Sequence, residues 1–90
     1  MKYTQERFTA GTLESSDAMV TVAYCEGENR ITVDSVVQEQ FGEAIRKTVE
    51  EVLHEMQVKN ASVTVVDRGA LDCVIRARVE TAVLRGREGL

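Results

Sequence analysis

From Val37 to Met56, apolar residues recur at helical spacing: Val37, Phe41, Ala44, Ile45, Val49, Val52, Leu53 and Met56. On either side of this stretch the pattern changes to alternation. That switch of period constrains the fold more than any other feature. A helix with one apolar stripe must bury it, and a stretch with a period of two is a strand with one face to hide. The helix is expected over Val36–Met56. Ser35 stands as its N-cap, and Gln38 lies three residues on, as a capping box requires. Arg46–Glu50 and Lys47–Glu51 are four apart on its outer side. Gly42 inside it costs about 1 kcal/mol against alanine, which a close approach to a sheet would explain.

The flanking stretches read as strands. In Ala18–Cys25, Val20, Val22 and Tyr24 share one face, and Met19, Thr21 and Ala23 the other. Glu26-Gly27-Glu28-Asn29 is a turn. Arg30–Asp34 follows with Ile31 and Val33 on one face, and the two strands are expected to pair as a hairpin. Lys59-Asn60 ends the helical pattern. Ala61–Asp67 alternates again, with Val63 and Val65 opposed to Thr64 and Val66. After a turn at Arg68-Gly69, the residues Leu71, Val74, Ile75, Val79, Ala82 and Val83 outline a second helix ending near Arg85, with Gly86 as its stop. Met1 to Arg7 reads as a polar arm that Phe8 pins to the body.

The order is strand, strand, helix, strand, helix. It predicts an α+β fold: a small two-layer sandwich, a mixed sheet with two helices on one face. The 90 residues make one domain, residues 1–90, with 1–7 and 87–90 loosely ordered. Aromatic residues are only 4 % of the chain, so the core is built from aliphatic side chains. Phe41, Ile45, Val49, Leu53, Val74, Ile75 and Val79 are expected to share it, and Cys73 to sit as a small buried apolar residue.

The net charge of −4 disfavours nucleic acid as a partner. No apolar run approaches the roughly 20 residues that span a bilayer, and none follows Lys2 as a secretory signal would. No membrane partner is expected, and the expected compartment is the cytoplasm. Cys25 and Cys73 are then reduced thiols, and their spacing fits no metal motif.

Catalytic credentials are weak. His54, the single histidine, reads as a helix-surface residue. A triad of Ser15, His54 and Asp67 exists on paper only, and no phosphate-binding or nucleophile-elbow pattern occurs. Arg76, Arg78 and Arg85 leave two readings open. They form a solvated face paired with Asp72 and Glu80, or a ridge that meets an acidic partner or phosphates.

One loop stands out. Gly11-Thr12-Leu13-Glu14-Ser15-Ser16-Asp17 has no periodicity, and its residues favour turns and local backbone hydrogen bonds. Two hydroxyls between two carboxylates make either a connecting turn or a site for covalent addition. With Ala10 before it, this stretch resembles the N-terminal motif of the citrate lyase acyl carrier (gamma subunit) family. Gln40-Phe41-Gly42-Glu43-Ala44-Ile45-Arg46 and the run from Gly69 to Glu80 resemble two further motifs of that family, in order and at matching distances.

The resemblance implies a non-catalytic carrier. In the family the serine after the glutamate bears the prosthetic group, which is Ser15 here; Ser16, where many relatives have glycine, is the competing acceptor. The implied group is phosphoribosyl-dephospho-CoA in phosphodiester linkage, donated as 2'-(5''-triphosphoribosyl)-3'-dephospho-CoA. Its thiol bears acetyl and citryl thioesters while citrate is cleaved to acetate and oxaloacetate. The implied partners are an alpha subunit (acyl transferase), a beta subunit (citryl lyase) and an attaching transferase. The alternatives are the acyl carrier subunit of malonate decarboxylase and an unmodified interaction domain.

Overall fold

The computed structural model describes residues 6–89, with side chains through Arg87. Residues 1–5 of the expected arm and the final Leu90 lie outside the described residues. Strands β1 (Phe8–Gly11), β2 (Ala18–Tyr24), β3 (Arg30–Ser35) and β4 (Ala61–Asp67) form one sheet, with helices α1 (Gln38–Glu55) and α2 (Asp72–Gly89). The sheet order is β1-β2-β4-β3. β1 and β2 are antiparallel, as are β2 and β4, whereas β3 and β4 run parallel across the α1 connection. This is the expected α+β sandwich, with one strand added at the front.

The alternation of the strands decides which residues go in. Val20 and Val22 of β2 and Ala61, Val63 and Val65 of β4 are buried against the helices. α1 contributes Ile45, Val49, Val52 and Leu53, and α2 contributes Ile75, Val79, Ala82 and Val83. Burial of each Val, Leu or Ile side chain contributes about 1.5–3 kcal/mol. The opposite face of the sheet carries a row of threonines. Thr9 pairs with Thr21, Thr21 with Thr64, and Thr32 with Thr64, so one row crosses all four strands.

Six expectations need correction. First, the hairpin is β1–β2; β2 and β3 are not neighbours, because β4 lies between them. β4 buries alternate residues along its whole length and takes the centre, whereas β3 only half-buries its inward residues and takes an edge. The connection from β2 to β3 crosses the start of β4 and is tied there. The Asn29 side chain accepts from the Ala61 N–H (3.0 Å) and donates to the Val58 carbonyl (2.8 Å).

Second, α2 does not stop at Gly86. It continues to Gly89, and Gly86 is buried. A Cβ there would lie 2.9 Å from Tyr24 Cε2 and 3.1 Å from Phe8 Cδ2. The missing side chain lets the helix close on that aromatic pair. Third, the tight neighbour of Gly42 is not a strand but its own helix; a Cβ there would lie 2.6 Å from Gln38 Nε2, one turn earlier in α1. Fourth, Phe41 is 52 % exposed. It stands one turn before Ile45 and lines a groove of about 360 Å³ with Val37, Ala44 and Leu71. Fifth, Cys73 is exposed. The buried stripe of α2 is set by Ile75 and Val79, and Cys73 falls on the other side.

Sixth, the start of α1 departs from a simple cap. Val37 occupies the N-cap without a side-chain bond. Ser35, two residues earlier, still donates its backbone N–H to Gln38 Oε1 (3.1 Å), the reciprocal half of the expected box. Its hydroxyl donates to Asp67 Oδ2 (2.7 Å) and so joins the ends of β3 and β4.

Candidate functional site

The loop from Thr12 to Asp17 joins β1 to β2. Gly11 makes its neck. Its φ is +95°, and a Cβ there would lie 1.9 Å from the Ala18 carbonyl oxygen, so no side chain fits. From this neck the chain rises into a loop organised by one carboxylate. Asp17 Oδ2 accepts from the Thr12 N–H (3.1 Å) and hydroxyl (2.6 Å), and Oδ1 accepts from the Ala18 N–H (2.7 Å). The Arg78 guanidinium of α2 lies across both oxygens, Nε at 3.0 Å from Oδ1 and Nη2 at 3.1 Å from Oδ2. The Thr12 hydroxyl, the Ala18 N–H and the Arg78 guanidinium hold the Asp17 carboxyl down to about 2, against the smaller upward push of burial. Asp17 is therefore a fixed carboxylate with its charge matched.

The tip is a turn with a defined geometry. The Asp17 N–H donates to the Glu14 carbonyl (3.1 Å), which closes a four-residue turn around Ser15 and Ser16. Ser16 has φ +65°, and Ser15 is not among the positive-φ residues. A positive φ at the third residue alone is the type II pattern, which favours glycine there. The same residue opens a β-bulge. The Ser16 N–H donates to the Arg68 carbonyl (2.8 Å), and the Arg68 N–H donates to the Asp17 carbonyl (2.9 Å). Two residues thus oppose one, with the first in the left-handed region, which is the G1 bulge. Turn and bulge together fix Ser16 by its backbone. Ser15 is left at the outer corner, exposed, and no group among the described residues bonds its hydroxyl.

The other candidates are dispersed. His54 lies exposed in the last turn of α1, near the start of β4, while the Ser15 loop lies at the end of that strand. Seven residues of strand, about 20 Å, separate the two ends. Asp67 is buried and bonded to Ser35 and to the Ala70 N–H (2.8 Å). Ser15, His54 and Asp67 are not brought together. Nor do the three arginines form one ridge. Arg76 turns to α1, 2.7 Å from Glu51 and 3.4 Å from Glu55, with Asp72 at 3.8 Å. Arg78 holds the loop, and Arg85 donates to the Thr9 carbonyl. Of the two acidic partners expected for that face, Asp72 is found and Glu80 has no ion pair among the described residues.

The pairing of Arg78 with Asp17 had no signal in the sequence, since the residues stand 61 apart. Among the described residues there is no cluster of His, Cys, Asp and Glu that could hold a metal ion, and no helix is long and apolar enough to cross a membrane.

Residues 5–86 match the family model described as the malonate decarboxylase delta subunit (MdcD), an ACP family. The citrate lyase acyl carrier protein of Enterobacter sp. (strain 638) is 51 % identical over 88 residues, 98 % of this chain and 90 % of the relative. That of Serratia proteamaculans (strain 568) is 57 % identical over 77 residues, 84 % of this chain and 76 % of the relative. The fold is also that of a chain in the crystal structure of a Pseudomonas malonate decarboxylase hetero-tetramer in complex with malonate. That chain has a TM-score of 0.68 at 19 % identity, over 91 % of this chain and 86 % of its own length. An exposed serine on a rigidly held hairpin loop, in a chain about half identical to these carriers along most of its length, leads to one assignment: the chain belongs to the citrate lyase acyl carrier protein family.

Proposed function

We propose that this chain is the acyl carrier subunit of citrate lyase and that Ser15 Oγ bears its prosthetic group, phosphoribosyl-dephospho-CoA. The observation that carries the reading is the Ser15 corner: an exposed, unbonded hydroxyl on a loop tied down through Thr12, Ser16 and Asp17. The same geometry favours Ser15 over Ser16. Ser16 sits where glycine would serve as well or better, so its role is conformational.

The site suits a phosphate-linked nucleotide in two respects. The hydroxyl stands clear of the surface, and the nearest fixed carboxylate, Asp17, is already neutralised by Arg78. When bound, the group supplies a flexible arm whose thiol carries the acyl unit as a thioester. The chain supplies presentation. Gly11 forms the neck, Thr12, Asp17 and Arg78 hold the loop, and Ser15 projects from it. A serine hydroxyl is a weak nucleophile without a base. The Asp17 carboxylate, held down to about 2 and tied to Arg78, is a poor base, and His54 lies at the far end of the sheet. Ser15 Oγ forms its bond to phosphorus as pyrophosphate leaves, and its proton passes to a base of the attaching transferase. The loaded carrier then serves the alpha and beta subunits in turn, which raises the local concentration of one thioester at two sites.

Citrate is favoured over malonate because the half-identical relatives carry the citrate lyase name, whereas the malonate decarboxylase chain shares the fold at 19 % identity. The test is coexpression with the attaching enzymes, read by intact mass. Ser15→Ala should abolish the mass increment, and Ser16→Gly should keep it; the reverse pattern moves the site by one residue. Reconstitution of the loaded chain with citrate lyase alpha and beta subunits should restore citrate cleavage, and turnover by the chain alone would overturn the carrier reading.

A further inference from the structure

We propose that Arg68 is the phosphate-binding residue of the Ser15 site, its guanidinium closing on the phosphodiester formed at Ser15 Oγ. The inference rests on Ser15 as the attachment residue and adds a residue that the loop motif does not contain.

Position comes first. Arg68 is the single residue opposite the bulge formed by Ser16 and Asp17, joined to both through main-chain hydrogen bonds of 2.8 and 2.9 Å. Residues opposed in an antiparallel pair have Cα atoms about 5 Å apart, and Ser15 is one residue, about 3.8 Å, further. An extended arginine side chain covers that separation. The Arg68 side chain is exposed, as Ser15 is.

Availability comes second. At this end of the sheet Arg78 is committed to Asp17, and Arg76 to Glu51, Glu55 and Asp72. Arg68 has neither an ion pair nor a side-chain hydrogen bond among the described residues. Its guanidinium therefore keeps all its donors for a planar, two-oxygen contact of the kind phosphate accepts. The charge balance agrees. With Asp17 matched by Arg78, Glu14 is left as the loop's unmatched carboxylate, which would repel incoming phosphates. Arg68 is the cation that offsets it. Because Arg68 is held by its backbone, replacing its side chain leaves turn and bulge in place.

The experiment compares wild type, Arg68→Gln and Arg68→Lys, each coexpressed or incubated with the attaching transferase and its triphosphate donor. Loading is followed by intact mass. Arg68→Gln should load about tenfold more slowly at low salt, with the difference shrinking as salt rises, and Arg68→Lys should recover most of the rate as a point charge. The loaded carriers are then compared by phosphorus-31 NMR. In Arg68→Gln the resonance of the Ser15 phosphodiester should shift from its wild-type position, with the two pyrophosphate resonances unmoved. Equal loading rates overturn the proposal. Slower loading with an unmoved phosphodiester resonance also overturns it, since Arg68 would then touch only the transferase. Failure of the Ser15 assignment is separate: it shows as a mass increment that survives Ser15→Ala.

Discussion

The conformation of Ser16 gives a sharp test of the loop. Its φ of +65° lies where an L-residue costs about 1–2 kcal/mol relative to its preferred regions. Glycine removes that cost but adds about 0.4–1 kcal/mol of freedom to the unfolded chain. Ser16→Gly should therefore stabilise the apo chain by about 0.5–1 kcal/mol. Ser16→Val should go the other way, by about 1–2 kcal/mol, because a branched Cβ is poorly tolerated at positive φ. Ser16 is exposed, so lost packing does not confuse the comparison. Urea unfolding followed by far-ultraviolet circular dichroism measures both. In a domain of this size 1 kcal/mol moves the melting temperature by about 4–8 °C. A glycine variant clearly less stable than wild type, or a neutral valine variant, would mean that Ser16 is not held in the left-handed region. The turn and bulge assigned to the loop would then be wrong. The glycine variant should also still accept the prosthetic group, which ties the conformational role to the chemical one.

Asp17 has a folded-state value of about 2 against an ordinary 3.8, so its contribution to stability is complete above about pH 4 and is lost as pH falls towards 2. Asp17→Asn should flatten the acid side of the stability profile, and an unchanged profile would refute the hub assigned to this carboxylate. Leu53 is 1 % exposed between the helices and the sheet, so Leu53→Ala should cost about 2–5 kcal/mol in denaturant unfolding. Gly86→Leu drives a side chain into Tyr24 and Phe8 and should cost about 1–3 kcal/mol despite the better helix propensity of leucine. A more stable variant there would show that α2 does not close on the aromatic pair.

Periodicity made α1 and the burial pattern of β2 and β4 legible, because each element's facing is written in a local repeat. Strand order was not legible, since alternation tells a strand which face is inside but not which strand lies beside it. β1 escaped because four residues, with Ala10 as the one buried residue, leave too short a pattern to read. Gly86 misled because glycine ends a helix only where the chain turns left-handed; here packing against Phe8 and Tyr24 gave it a different use. The loop itself was visible as Gly, Ser and Asp chemistry, and the resemblance pointed to Ser15. Part of what fixes the loop was hidden, because Arg68 and Arg78 come from elements distant in the chain, 61 residues in the case of Asp17 and Arg78.

That distance has a consequence for the order in which the molecule becomes competent. The loop is synthesised well before its two anchors, Arg68 and Arg78, the second of which stands 61 residues after Asp17. Contacts of such long separation form late, after the entropy of closing the intervening chain has been met. A nascent or arrested chain lacking α2 has Ser15 and the local Thr12 and Ala18 contacts of Asp17, but not the Arg78 clamp that completes the hub. An attaching enzyme that reads the clamped corner would therefore act on chains in which α2 has docked and pass over those in which it has not.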